Sequence, residues 1–162
     1  MAQYITYSAH GLIPPRSRPL IPGGGPQTVA EVLDRWVREC PEADALVGRD
    51  RRYTYAELDE AANRAASALA SLGVHSGTRV AASLPNRTDI VVAFLGAMRL
   101  GAIWVGINRP LAAPEKAYMI EDAQASVFLA AAEAAAEIEE LSGRLPTLQH
   151  IVRVGEDPTD SP

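Results

Sequence analysis

Thiols, imidazoles and ammonium groups are scarce in this chain of 162 residues. The single cysteine, Cys40, excludes an internal disulfide and a thiol-rich metal site. The three histidines, His10, His75 and His150, are scattered over an arm, a turn and a strand edge, which favours solvated or capping roles over catalysis or metal binding. Lys116 is the only lysine, leaving 14 of the 15 basic residues as arginine, so any mechanism that needs an ammonium group has one candidate. Acidic residues outnumber basic ones 20 to 15, and the net charge of −5 argues against nucleic acid or an anionic membrane as the main partner. The N-terminus, Met1-Ala2-Gln3-Tyr4, lacks the basic-then-apolar order of a secretory signal, which predicts a cytoplasmic protein. Three catalytic motifs are also missing: a lysine-bearing phosphate loop, a Gly-x-Gly-x-x-Gly turn after a strand, and a Gly-x-Ser-x-Gly nucleophile elbow.

What is present is ordinary for a globular domain, with 48% apolar and 22% charged residues. The longest apolar run, Ile90 to Ile107, holds 18 residues with Arg99 as its only charge. As a membrane span it would carry that charge near mid-bilayer at a cost of roughly 2.5–3.5 kcal/mol. A buried helix, a stop at Gly101 and a buried strand over Ile103-Trp104-Val105 explain the run without penalty, so no membrane span is expected.

Residues 1–27 form a Pro/Gly-rich arm, with five prolines and four glycines between Gly11 and Pro26. Gly23-Gly24-Gly25 reads as linker, since no strand precedes it and no lysine follows. Residues 28–155 carry the folded part, and 156–162 a polar, acidic tail. Thr28 and Glu31 predict a capping box opening a helix over 28–40, with Val29, Val32, Leu33, Trp36 and Val37 on its buried stripe. Residues 45–47 and 52–55 predict a hairpin. Thr54 and Glu57 predict a second capping box, opening a helix that ends at Leu72 with Gly73 beyond it. Alternation follows: strand 79–84, helix 88–100, strand 102–107, a short helix with Pro114 in its first turn, strand 126–130, helix 131–141 and strand 150–154. Strands separated by helices of this length pair in parallel through right-handed crossovers. The expected fold is therefore α/β, an open, mostly parallel sheet with helices on both faces, binding ligands beyond the carboxyl ends of its strands.

Chemistry-bearing clusters are few. Glu133, Glu137, Glu139 and Glu140 read as the solvated face of an alanine-rich helix. Arg51-Arg52 reads as an exposed turn. Asn86 and Arg87 fall at a strand-to-helix junction, where backbone N–H groups favour anions, although Asn86 or Thr88 could equally cap the next helix.

Several segments in register carry a family resemblance. Arg52-Tyr53-Thr54-Tyr55-Ala56-Glu57-Leu58, then Asn63-Arg64-Ala65-Ala66 and Leu72-Gly73-Val74, resembles the first signature of AMP-forming acyl-CoA synthetases. Gly77-Thr78-Arg79-Val80-Ala81 up to Leu84-Pro85-Asn86 is similar to that family's next strand and turn. Met98-Arg99-Leu100-Gly101-Ala102, Ile107-Asn108-Arg109-Pro110-Leu111 and Pro114-Glu115 resemble its second signature. Gly106 departs from the family, which usually has proline before the Ile-Asn pair. The resemblance covers about residues 28 to 155.

The resemblance implies part of the N-terminal domain of an adenylate-forming enzyme, closer to fatty-acid or aryl-acid CoA ligases than to peptide-synthetase adenylation domains. Such enzymes convert a carboxylic acid and ATP to an acyl-adenylate and pyrophosphate, then pass the acyl group to coenzyme A. ATP, Mg²⁺ and CoA would serve the parent enzyme, with none bound by these residues alone. The family's Ser/Thr/Gly-rich phosphate loop and its catalytic lysine lie beyond this stretch, and Lys116 matches neither functional lysine. The chain alone is therefore expected to be inactive, with no catalytic and no metal-binding residue of its own. Asn86, Asn108 and Arg109 are the expected substrate- or CoA-facing residues. Apolar surface left exposed should make it self-associate. The alternative is a free-standing, non-catalytic remnant of a synthetase that binds a partner through its arm.

Overall fold

The computed structural model describes residues 26–155, so most of the arm, its glycine run and the acidic tail lie outside the described residues. A 3-10 turn (Val29–Glu31) and α1 (Asp34–Glu39) lead into β1 (Asp44–Val47), β2 (Arg52–Thr54) and α2 (Tyr55–Ser71). Then come β3 (Arg79–Ser83), α3 (Thr88–Arg99), β4 (Ile103–Gly106), α4 (Ala113–Asp122), β5 (Val127–Ala130) and α5 (Ala132–Leu141). A second 3-10 turn (Ser142–Arg144) and β6 (His150–Arg153) complete the order.

β1 and β2 make the expected antiparallel hairpin, with Leu46 opposite Tyr53. The main sheet is four-stranded and wholly parallel, in the order β4-β3-β5-β6. Its register sets Val80 beside both Trp104 and Val127, and Phe128 beside Ile151. Period-two alternation divides the core. Val80, Ala82, Val127 and Leu129 face one side with Ala93 and Ala97 of α3, while Ala81, Phe128 and Ala130 face the other with Ile120 of α4 and Ile138 of α5. Burial of β5 on both faces explains why Val-Phe-Leu-Ala shows no polar alternation at all.

The boxed start of α2 forms as expected. Thr54 N–H donates to Glu57 Oε2 at 2.9 Å, and Glu57 N–H donates to Thr54 Oγ1 at 3.3 Å. Gly73 ends the helix at φ +80°, a left-handed conformation that glycine adopts without a Cβ penalty.

The first helix departs from expectation. Instead of one helix over 28–40 there is a 3-10 turn followed by six residues of α1, and Thr28 gives no side-chain cap. Thr28 Oγ1 donates to the Glu31 carboxylate (3.2 Å), which also accepts from Gln27 N–H (2.8 Å), so the expected box does not form at Thr28. Of the expected stripe only Leu33 is buried; Val29, Val32 and Trp36 remain 43%, 37% and 41% exposed. A stripe so thinly covered offsets little of the cost of helix nucleation, and β-branched Val29 and Val32 add none of their own.

The charge inside the apolar run also finds its reason. Arg99 Nη1 donates to the Asp59 carbonyl and to Asn63 Oδ1, both at 2.7 Å, and Nη2 reaches Asp59 Oδ1 at 2.5 Å. The side chain is only 13% exposed and ties the end of α3 to α2. No helix among the described residues is long and apolar enough to cross a membrane.

The same two helices meet at Gly96, where an added Cβ would lie 2.7 Å from Ala65 Cβ and 2.8 Å from Ala66 N. Backbone cannot yield as a flexible side chain does. Gly96→Ala is expected to lower the free energy of unfolding by about 1–3 kcal/mol, read as a shifted urea midpoint at unchanged slope; an unmoved midpoint would show that the helices can separate freely.

Candidate functional site

From β3 the chain crosses to β4 on one side, then returns past β3 through α4 to reach β5 on the other. The connections after β3 and β5 therefore diverge at the carboxyl edge of the sheet, the place where open α/β folds bind ligands. A cleft of about 330 Å³ opens there. Ser83 at the end of β3, the segment Arg109 to Ala112 after β4, Lys116 of α4, and Ala131, Glu133 and Glu137 at the start of α5 line it.

Burial sets the character of these groups. Lys116 is 5% exposed, yet its ammonium is not isolated: Nζ donates to Glu137 Oε2 at 3.0 Å. An unpaired ammonium at this depth would be strongly penalised, and the carboxylate half-exposed on α5 neutralises it. This corrects the reading of Glu137 as a purely solvated face, since helical spacing says nothing about a cation arriving from another helix. Glu139 is likewise paired, with Arg153 of β6 at 3.0 Å. Ser83 is 1% exposed and its hydroxyl makes no hydrogen bond among the described residues. Arg109 is exposed. α5 starts behind the N-cap residue Ala131 with no side-chain cap.

Of the three residues expected to face a ligand, all lie just beyond carboxyl ends of strands, but only Arg109 lines the cleft. Asn108 immediately precedes it and is exposed, and Asn86 is exposed in the turn between β3 and α3. Sequence reading missed Ser83, whose one hydroxyl at the end of Val-Ala-Ala-Ser was the available signal. The side chains of Arg51 and Arg52 are engaged elsewhere: Arg52 pairs with Asp44 across the hairpin, and the Arg51 guanidinium lies 4.4 Å over the Tyr53 ring. Among the described residues no group of three or more His, Cys, Asp or Glu could hold a metal ion.

The junction at Asn86-Arg87 does attract an anion, and the chain supplies it. Asp50, in the turn of the β1–β2 hairpin, accepts from Thr88 Oγ1 at 2.6 Å and from Thr88 N–H at 3.2 Å. Neither Asn86 nor Thr88 caps α3, whose N-cap residue is Arg87 without a side-chain bond. Arg87 Nε stands 3.7 Å from the same carboxylate. Close approach of the hairpin requires Gly48, where a Cβ would lie 2.6 Å from Thr88 Cγ2. Hydrogen bonding from the Thr88 side chain, aided by backbone donors and the Arg87 charge, holds the Asp50 carboxyl below its ordinary value.

A carboxyl with a folded-state pKa below its unfolded value stabilises the fold fully above the unfolded value, about 4, and loses that contribution as pH falls through the lower folded value. Asp50→Asn is thus expected to lower the urea midpoint at pH 7 and to flatten the decline between pH 4 and pH 2. Denaturation curves across that range check it; an equally steep decline in the variant would remove Asp50 as the cause.

Comparison with known proteins agrees with this geometry. The family model described as AMP-binding enzyme matches residues 33–162. A methyl-dioxo-octahydroindenyl propanoyl:CoA ligase of Mycobacterium tuberculosis is 41% identical over 133 residues, 79% of this chain and 26% of that protein. A linear gramicidin synthase polypeptide of Brevibacillus parabrevis is 39% identical over 118 residues, 73% of this chain and 1% of that one. Among solved structures, the anthranilate CoA ligase AuaEII in complex with anthranoyl-AMP superposes with a TM-score of 0.75 at 35% identity, over 79% of this chain and 25% of that chain. This chain spans about a quarter of the length of the CoA ligases it matches. With its parallel sheet and the match over residues 33–162, the chain belongs to the AMP-binding enzyme family, as part of the N-terminal domain of an adenylate-forming enzyme.

Proposed function

We propose that this chain is the N-terminal part of an ATP-dependent acyl-CoA synthetase acting on a fatty or other carboxylic acid in the cytoplasm. The observation that carries the reading is the run of matches to a quarter of the length of CoA ligases, in sequence and in structure together. In the whole enzyme a carboxylate oxygen would attack the α-phosphorus of ATP and expel pyrophosphate. The CoA thiol would then attack the acyl carbon and expel AMP.

The described residues do not by themselves fit ATP with Mg²⁺. Adenylation needs several cations and a metal-binding carboxylate converging on one point. In the cleft, Lys116 is neutralised by Glu137, and Arg109 is the cation left beside it. Those residues would instead form one wall of the approach for substrate or CoA, with Arg109 facing the cleft and Asn108 and Asn86 on the same edge of the sheet. ATP, Mg²⁺ and CoA would be requirements of the whole protein.

Val47, Ile103 and Tyr118 are 58%, 50% and 65% exposed, and Val29, Val32 and Trp36 are also exposed. Such surface supports burial against further chain in the parent and self-association of the isolated chain.

The test compares the isolated chain with the full product of its reading frame. Peptides from residues 28 to 155 identify the native polypeptide, expected to weigh several times 17.3 kDa. Pyrophosphate release with a panel of aliphatic and aromatic acids is expected from that product and not from the 162-residue chain, which should sediment as oligomers. Release by the short chain would overturn its inactivity. A native product of 17.3 kDa would favour instead a non-catalytic, partner-binding remnant.

A further inference from the structure

A second recess, unlike the polar cleft, opens on the face of the sheet that carries α3. It holds about 180 Å³ between Ala68 and Leu69 of α2, Val92 of α3, Leu129 of β5, Val152 of β6 and Val154 just beyond it. Topology explains why it exists. β6 is an outermost strand, and the layer built on Val80, Ala82 and Leu129 reaches its margin there, leaving Val152 and Val154 half-buried. The one charged group on the lining is the Asp89 carboxylate, 33% exposed, with Arg87 Nε at 3.8 Å, beyond hydrogen-bond length. Water against so apolar a wall is unfavourable, so the groove favours an apolar cover.

Two stretches outside the described residues join the fold nearby, and their chemistry differs. Beyond Gly155 come Glu156-Asp157-Pro158-Thr159-Asp160-Ser161-Pro162, which carry three carboxylates and no Leu, Ile, Val or aromatic side chain. Asp89 repels such a segment. Residues 1–25 are the opposite: they contain Arg16 and Arg18, no Asp or Glu, and Leu-Ile-Pro twice, at 12–14 and 20–22. They also precede the family match, which begins at residue 33. Their point of entry is close to the groove. The 3-10 turn packs on α3, and Val92, which lines the groove, also packs against the cluster that buries Leu33. Ile21 is five residues from Pro26, a reach of up to about 18 Å.

We propose that the Pro/Gly-rich arm docks back into this groove, with the Leu20 and Ile21 side chains against Val92, Val152 and Val154 and the Arg18 guanidinium on the Asp89 carboxylate. Apolar contact supplies the attachment, and the Arg18–Asp89 pair sets its direction. Pro19 and Pro22 flank the Leu-Ile pair and favour an extended backbone, which suits a recess whose volume cannot take a helix. Gly23-Gly24-Gly25 allows the turn back toward α3. The arm thereby covers the open margin of a core layer, a role independent of thioester formation and of the polar cleft on the carboxyl edge.

Trypsin cleavage after Arg16 reads the docked state, because a protease cuts the population in which the segment is open. In the 162-residue chain this cut, identified by mass, is expected to be slow. It should accelerate about tenfold or more in the double variant Leu20→Ser, Ile21→Ser and in Ala68→Glu. Neither alters a residue of the three core clusters, and Ala68 is exposed, so the fold is kept. Asp89→Asn is expected to raise the rate about threefold at low salt and not in 1 M sodium chloride; no rise at low salt overturns the ion pair. Equal rates in the unaltered chain, the double variant and Ala68→Glu overturn the proposal. Ile21→Cys with Ala68→Cys, in a Cys40→Ser background, is expected to oxidise to a cross-linked species of monomer mass, whereas a disulfide-linked dimer would put the arm of a second copy in the groove and overturn intramolecular docking. In the full-length product of the reading frame the cut is expected to stay slow. Fast cleavage there would mean that later chain fills the groove, and overturns the proposal for the whole protein.

Discussion

The position of β3 between its two successors organises this molecule. Once β4 has paired on one side of β3, the only unpaired edge of that strand lies on the other, so the chain must return across the sheet before β5 can form. Right-handed crossovers then put α3 on one face and α4 on the opposite face. Two separate apolar layers follow, one holding Val80, Ala82 and Leu129, the other Ala81, Phe128 and Ile138. The cleft is a by-product of the same path, because connections leaving β3 and β5 part company at the carboxyl edge. Layer formation and ligand access are thus one topological event.

Small residues make the outer packing possible. Gly96 meets Ala65 and Ala66 without side-chain intervention, which brings α2 and α3 close enough for Arg99 to reach the carbonyl and carboxylate of Asp59. The guanidinium is satisfied within the fold, so a charge in the middle of an apolar run costs little there. Asp50 does comparable work from further away in sequence. It spans 38 positions to bond Thr88, and thereby fastens the hairpin to the start of α3.

The chain belongs to the AMP-binding enzyme family and spans about a quarter of the length of the CoA ligases it matches. The described residues hold a scaffold and one polar cleft, in which cations and carboxylates nearly balance. Lys116 and Arg109 share that cleft with Glu133 and Glu137.

Most of the fold was legible in the residue pattern. Alternation of β-branched runs with helical spacing marked the strands and helices from α2 onward, to within one or two residues except for α4, where only Pro114 in the first turn was marked, and Thr54, Glu57 and Gly73 marked the ends of α2 by local hydrogen bonding alone. Local signals of this kind depend on neighbours in the chain. The first helix failed because a helical stripe needs a partner surface to bury it, and Thr28 with Glu31 could not reveal that Trp36 and Val32 would stay exposed. The site was legible only as an edge of the sheet, through Asn108 and Arg109. That Asp50 would cap α3, that Glu137 would pair with Lys116 from another helix, and that the Ser83 hydroxyl would be buried at the cleft wall are facts of residues brought together from 21 or more positions apart or from different layers. The sequence by itself determined which segments become strands and helices, because those choices are made over a few bonds. Tertiary structure alone decided which charges meet and which polar atom is left without a partner, because distance in space is not distance along the chain.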